Sequence, residues 1–333
     1  DMKVAVLGAT GLVGQEIIKV LEERNFPISD FVPLASSKSA GKVVEFSGAQ
    51  VEVREVADDA FKGVDIALFA AGAGVSKRWA RVAVSKGAVV IDNSSAWRLD
   101  PEIPLIVPEV NPEDVMRHNG IIANPNCATI QAVVALAPLH KRYCLEYFSA
   151  VTFQSVSGTG KQALVELDEC ARAILEGKSF EPQVYPLPIG FNVLPHIGAM
   201  DESGVSDEEW KMLNESRKIL HHQKLQVSCT TVRVPVKRGH SEAIVAQFEE
   251  RVTLEEANAI LSEAPGIIVM AENKYITPLQ AAGSDLVYVC RLRCDLGMPR
   301  ALSMWVVSDN LRKGAALNAV QIAELVASKT KAF

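Results

Sequence analysis

The chain has 333 residues, 48% of them hydrophobic, so it can bury a large core and reads as two domains rather than one. Its formal net charge is −6, which leaves no basic footprint for nucleic acid. No apolar run is long enough to span a bilayer, and a strand at residues 3–7 leaves no room for a signal peptide, so a cytoplasmic protein with no membrane partner is expected.

The first third alternates strand and helix. Val4 to Leu7 is a short apolar strand, followed by Gly8-Ala9-Thr10-Gly11-Leu12-Val13-Gly14 and a helix with Leu12, Val13, Ile17 and Leu21 on one side. Residues 31–35, 66–70 and 88–91 read as further buried strands, separated by polar or helical segments such as 76–85. This pattern predicts an α/β fold, a Rossmann-type doubly wound parallel sheet with crossover helices.

The glycine run has the form Gly-x-x-Gly-x-x-Gly, not the dinucleotide form Gly-x-Gly-x-x-Gly. Its place between a strand and a helix start is nevertheless where backbone N–H groups receive a pyrophosphate. The plainer alternative is a turn that serves only close strand–helix packing. At the end of the second strand, Ser36-Ser37-Lys38-Ser39 contains no acid to hold ribose hydroxyls. Hydroxyls and a lysine suit a 2′-phosphate, so NADP is preferred over NAD; a solvated serine-rich loop is the alternative.

Asn124-Pro125-Asn126-Cys127 then runs into a helix-periodic apolar stretch. Pro125 keeps the preceding residue extended, Asn126 suits an N-cap, and Cys127 falls in the first helical turn, where the macrodipole favours a thiolate. By spacing alone, a buried core cysteine is the commoner outcome. Cys290 and Cys294 share the period-2 parity of Leu286, Tyr288 and Leu292 and read as inward strand residues. Cys144, Cys170 and Cys229 are isolated. No Cys-x-x-Cys pair or zinc-type Cys/His set occurs, so neither a structural metal nor a disulfide framework is expected.

Beyond residue 139 the strands lengthen and alternate, at 150–156, 227–236, 243–249 and 286–292, as in a largely antiparallel sheet with one covered face. Helices are expected at 161–175, 207–220 and 254–263, the second behind the capping box Ser206-Asp207-Glu208-Glu209. This half reads as α+β. The proline-containing stretch 180–198 reads as an ordered excursion or a subunit contact, and periodicity does not assign the helical run 311–328 to either domain. A cysteine nucleophile with a nicotinamide cofactor suggests thiohemiacetal–thioester chemistry, which needs a general acid/base. His240, at a strand end in Arg233-Val234-Pro235-Val236-Lys237-Arg238-Gly239-His240-Ser241, is the best placed histidine. Arg233 lies on the strand face opposite Val232, Val234 and Val236, so it can leave the core.

The combined text resembles the aspartate-β-semialdehyde dehydrogenase family. The match is carried by residues 8–14 and 36–42, by Asp92-Asn93-Ser94-Ser95-Ala96-Trp97-Arg98 and Val107-Pro108-Glu109-Val110-Asn111, and by Asn124-Pro125-Asn126-Cys127. It continues through Gln154 with Ser157-Gly158-x-Gly160, Glu208-Glu209-Trp210-Lys211, Arg233 to Val236 with Gly239-His240, and Ser308-Asp309-Asn310 with Lys313 to Ala316.

The resemblance spans the whole chain in order and implies reductive dephosphorylation of aspartyl phosphate with NADPH. That reaction feeds lysine, diaminopimelate, threonine, methionine and isoleucine biosynthesis. It implies Cys127 as acyl-carrying nucleophile, His240 as acid/base and Gln154 as the amide that orients the acyl group. Arg233 would grip the substrate carboxylate, Glu208 its ammonium, and Arg98 and Lys211 the phosphate. Cofactor contacts would come from Gly8, Thr10, Gly11, Leu12, Val13, Gly14, Ser36, Lys38, Ser39, Ala71, Gly72, Ser157, Gly158 and Asn310.

It further implies an NADP-binding domain of 1–127 and 311–333, a catalytic and dimerisation domain of 128–310, and a homodimer or homotetramer. Two departures are that Ala128 stands where serine or threonine is common and Lys38 where arginine is common. The lysine keeps the charge but loses the bidentate fork. The rivals are N-acetyl-γ-glutamyl-phosphate reductase, for which an ammonium partner such as Glu208 would be pointless, and a catalytically silent Rossmann nucleotide sensor.

Overall fold

The structure is a computed structural model that describes residues 1–330; of the segment 311–333 assigned above, positions 331–333 lie outside the described residues. The chain divides into two compact units, Asp1–Asn126 with the chain from Ala315 onward, and Cys127–Gly314.

In the first unit, β1 (Met2–Leu7) leads through α1 (Leu12–Glu23) to β2 (Ile28–Ala35). A small hairpin, β3 (Val43–Phe46) and β4 (Ala49–Glu52), and the short β5 (Arg54–Glu55) follow, then β6 (Ile66–Phe69), α2 (Ala73–Ser85), β7 (Val89–Asp92) and β8 (Ile121–Ala123). The order β5-β2-β1-β6-β7-β8, parallel throughout, reverses direction between β1 and β6. That reversal makes a crevice at the carboxyl ends of β1 and β6, where open α/β sheets bind ligands.

The closing helix, Leu317–Thr330, belongs to this unit and packs on α1. Its fully buried Leu317, Val320 and Ile322 join Ile17, Leu21 and Val4 in one core. Each such side chain contributes roughly 1.5–3 kcal/mol by leaving water. The run expected to be one helix from 311 begins instead with a π-type turn at Arg312–Ala316.

The second unit comprises α3 (Cys127–Tyr143), β9 (Leu145–Gln154), α4 (Lys161–Leu175), α5 (Asp207–Ile219), β10 (Gln226–Arg233), β11 (His240–Phe248), α6 (Leu254–Glu263), β12 (Ile267–Val269), α7 (Pro278–Ala281), β13 (Val287–Cys294) and β14 (Ala301–Ser308). Its sheet runs β10-β9-β11-β14-β13-β12; the three central pairs are antiparallel and the two edge strands pair in parallel, so the sheet is mixed. The alternation predicted for β11 places His240, Glu242, Ile244, Ala246 and Phe248 on a buried face, while Ala243, Val245 and Gln247 are half-buried. The capping box of α5 forms as the sequence indicates, with Ser206 and Glu209 each satisfying the other's backbone.

Two expectations fail here. Cys290 is buried, but Cys294 is exposed, and Val287 and Val289 rather than Tyr288 and Leu292 fill the core. The pairing of β13 with β14 shifts between Cys290 and Arg293, where Arg291 takes a left-handed φ of 51°, and the one extra residue puts Cys290, opposite Trp305, and Cys294, opposite Leu302, on different faces. Arg233 does not leave the core; it is only 6% exposed. At that end of β10 the buried parity is that of Thr231 and Arg233, and Val232 is the half-buried residue.

Candidate active site

Cys127 begins α3 and His240 begins β11, and Cys127 Sγ lies 3.3 Å from His240 Nε2. Gln131, one helical turn beyond Cys127, donates through Nε2 to the carbonyls of His240 (3.1 Å) and Val306 (3.2 Å), tying α3 to β11 and β14. On the other side of the ring, the backbone N–H of Ser155 donates to His240 Nδ1 at 3.0 Å. Glycines give the site its close fit. A Cβ on Gly158 would stand 3.2 Å from Arg233 Nη1 and 3.5 Å from His240 Nε2, and one on Gly314 would stand 3.1 Å from the Cys127 Cβ.

Burial first, and then the charge of Arg233, hold the imidazole of His240 down to about 3, against a smaller opposing pull from the Gly239 carbonyl. His240 is therefore neutral near pH 7. The pairing of β9 with β10 sets Gln154 beside Arg233, each the last residue of its strand. Gln154 is buried and donates to Thr152 Oγ1 at 3.2 Å; Arg233 Nη1 donates to the Ser155 carbonyl at 2.7 Å, with its guanidinium 5.8 Å from the Tyr185 ring centre. Arg233 Nε, also buried, has no hydrogen-bond partner among the described residues, which leaves donor capacity for an anion.

Ser157 and Asn310 join the same cluster, Asn310 Nδ2 donating to Ser157 Oγ at 3.0 Å. Glu208 and Lys211 occupy the first turns of α5 and pair with each other at 3.3 Å. Thr231, two residues before Arg233, donates its N–H to Glu209 Oε1 at 3.1 Å, which fixes the start of α5 against β10.

Arg98 lies in the first unit, buried, with Nε on the Asn124 carbonyl (2.9 Å) and Nη2 on that of Asn93 (2.8 Å). Near it, Asp92 accepts from Ser94 Oγ at 2.6 Å, and burial raises its pKa.

The crevice between β1 and β6 is a cleft of about 760 Å³, lined among others by Gly8, Thr10, Gly11, Ser36, Ser39 and Ala71. Gly8 has a φ of +88°, and a Cβ there would stand 2.5 Å from the Ala70 carbonyl oxygen. On Gly14 a Cβ would collide with the Gly8 carbonyl oxygen. No side chain caps α1 at its N-cap Gly11, so the helix start is open to a phosphate. Size, glycines and uncapped helix fit the nucleotide half of a dinucleotide. Lys38 stands exposed on the turn beside the cleft, and the basic residue in the lining is Arg78, with Glu55 also at the wall.

Sequence reasoning missed Ser155, Gln131, Tyr185 and Arg78. Gln131 had a signal, as a lone amide inside an apolar helical run. The other three had none, because their importance comes from where distant segments meet.

These two units define a semialdehyde dehydrogenase. The family model described as "Semialdehyde dehydrogenase, NAD binding domain" matches residues 3–118, and "Semialdehyde dehydrogenase, dimerisation domain" matches 136–313. The aspartate-semialdehyde dehydrogenase of Aquifex aeolicus is 51% identical over 97% of both chains, and that of Bacillus subtilis is 46% identical over 97% of this chain and 96% of its own. A crystal structure of Vibrio cholerae aspartate semialdehyde dehydrogenase II complexed with ASA superposes with a TM-score of 0.97 at 41% identity, covering 98% of each chain. The Candida albicans enzyme with NADP gives 0.75 at 26% identity, covering 99% of each. The chain belongs to the aspartate-semialdehyde dehydrogenase family.

Proposed function

We propose that this chain reduces L-aspartyl 4-phosphate to L-aspartate 4-semialdehyde and phosphate with NADPH, through a thioester on Cys127. The observation that carries the reading is the 3.3 Å contact between Cys127 Sγ and the buried His240. Cys127 sits in the first turn of α3, where the helix dipole stabilises a thiolate. That thiolate attacks the acyl carbon, and phosphate leaves with the bonding pair. Gln154 orients the acyl group with its amide, and His240 serves as acid/base beside the sulfur.

Arg233 presents a planar fork to the substrate α-carboxylate and Glu208 a carboxylate to its ammonium, while Arg98 and Lys211 bind phosphate. NADP is held by Gly8, Thr10, Gly11, Leu12, Val13, Gly14, Ser36, Lys38, Ser39, Ala71 and Gly72, with Ser157, Gly158 and Asn310 at the nicotinamide end. When bound, it supplies the hydride that reduces the thioester. We assign the unit Asp1–Asn126 with the closing helix to cofactor binding, and Cys127–Gly314 to catalysis and subunit contact.

The protein works as a homodimer or homotetramer in the cytoplasm. In support, the second unit matches a dimerisation-domain model, none of the six cysteines forms a disulfide among the described residues, and no helix among them is long and apolar enough to cross a membrane. A test is to incubate the protein with semialdehyde and NADP but no phosphate. The reading expects about one NADPH per active site and an acyl adduct on Cys127 by mass spectrometry, which phosphate then discharges. An adduct elsewhere, or none, contradicts it.

A further inference from the structure

His240 is held from two sides by groups with fixed roles. Its Nδ1 receives the backbone N–H of Ser155 at 3.0 Å, and a peptide N–H can only donate. While that bond stands, Nδ1 must offer a lone pair, so the neutral ring carries its hydrogen on Nε2, the atom 3.3 Å from Cys127 Sγ. The Ser155 hydroxyl is also near Nδ1, at 3.2 Å, but it has an acceptor of its own in Asn310 Oδ1 at 3.1 Å.

Asn310 collects the rest of the arrangement. Its Oδ1 accepts from the N–H of Gly239, the residue before His240, at 2.8 Å, and from the hydroxyls of Ser155 and Ser157. Its Nδ2 returns a bond to Ser157. The amide is 2% exposed, and β14, whose Ser308 pairs with His240, delivers it there. One side chain thus ties the segment after β9 to the turn before β11, and those two segments carry the donor N–H and the ring.

We propose that the Ser155 backbone N–H fixes His240 as its Nε2–H tautomer, so that the ring meets Cys127 as a hydrogen-bond donor, with Asn310 as the positioning residue that holds both segments. The inference rests on the reading of Cys127 and His240 as the reacting pair. Its chemical consequence is that in the resting site the sulfur lies under an N–H donor, which favours the thiolate, and His240 serves as acid/base only once its ring hydrogen has moved from Nε2 to Nδ1. When hydride from NADPH reaches the acyl carbon, the carbonyl π pair moves to oxygen. Re-forming C=O then expels Sγ with the C–S pair, and Nε2–H stabilises that charge.

The test is long-range ¹H–¹⁵N correlation on full-length protein with ¹⁵N-labelled histidine, with His240 assigned by the signal lost in His240→Asn. The proposal expects the Nε2–H pattern, unchanged between pH 8 and pH 5, and the same pattern in Ser155→Ala, which keeps the peptide N–H. Asn310→Ala is expected to give mixed tautomers and about a tenfold lower kcat. Asn310→Asp, which keeps the acceptor, is expected to restore the single tautomer. An Nδ1–H ring or an imidazolium at neutral pH would overturn the proposal, as would a tautomer change in Ser155→Ala. So would an Asn310→Ala variant that keeps the wild-type pattern. The tautomer is read without turnover, so this result stands apart from whether the proposed reaction is right.

Discussion

Cys127 Sγ and His240 Nε2 stand 3.3 Å apart although 113 positions separate them in the chain. The contact exists because a helix begins at one residue and a strand at the other, and Gln131 holds the two elements together. Cys127→Ala is expected to abolish turnover while NADPH binding survives, and His240→Asn to slow both half-reactions by about 10²–10⁴-fold. Steady-state kinetics with a cofactor titration check both, and full activity in either variant refutes the assigned roles.

Iodoacetamide distinguishes the thiols. Burial, and then neighbouring acids (Glu249 for Cys144, Glu242 for Cys229), push those two thiols up, so both are poorly ionised at neutral pH. Peptide mapping after brief alkylation at pH 7.5 should find Cys127 modified first and Cys229 last. If Cys127 reacts no faster than Cys144, activation at the start of α3 is refuted.

Arg233→Lys removes the fork while keeping a charge. Hydrogen bonds to charged groups contribute about 1.5–3 kcal/mol, so KM for the semialdehyde should rise on the order of 10- to 100-fold. Arg233→Gln also removes the charge that, after burial, holds the His240 pKa down, and the imidazole of this variant should titrate at higher pH than in the parent. An unmoved titration, followed by NMR, contradicts that account.

In the cofactor unit, Gly14→Ala forces a methyl into the Gly8 carbonyl and should abolish NADPH binding, read by fluorescence titration. Lys38→Glu should weaken NADPH far more than NADH. Equal losses for both cofactors would remove the argument for a 2′-phosphate contact, and Arg78, which lines the cleft, would be the next residue to test.

Glu242 is fully buried, neither carboxyl oxygen has a hydrogen-bond partner among the described residues, and burial raises its pKa well above the usual carboxylate range. The folded chain therefore keeps the proton. Below pH 4.5 the unfolded chain keeps it too, and stability is unaffected. As pH rises above 4.5 the unfolded chain gives it up, so stability falls by about 1.4 kcal/mol per pH unit until the folded group ionises. Glu242→Gln should lack this slope, and its stability relative to the parent should climb between pH 5 and pH 8 in urea melts. Parallel pH profiles would show that Glu242 ionises in place.

Much of this was legible in the sequence. Apolar strands with intervening helices define the parallel sheet, and the Asn-Pro-Asn-Cys run marks the start of α3. Period-2 alternation could not foresee the bulge that puts Cys290 and Cys294 on different faces, because a bulge is set by the partner strand and costs only one residue of register. It also let Arg233 leave the core, since burial of a guanidinium depends on acceptors such as the Ser155 carbonyl, supplied by the segment after β9, 78 positions away. Ser155 acts through its peptide N–H, which no side-chain pattern reports.

The most direct test of the central claim is a spectrophotometric assay of the purified protein with L-aspartate 4-semialdehyde, phosphate and NADP. The account predicts phosphate-dependent NADPH formation that Cys127→Ala loses. Activity only with the N-acetylated glutamyl semialdehyde, or none with either, would contradict it.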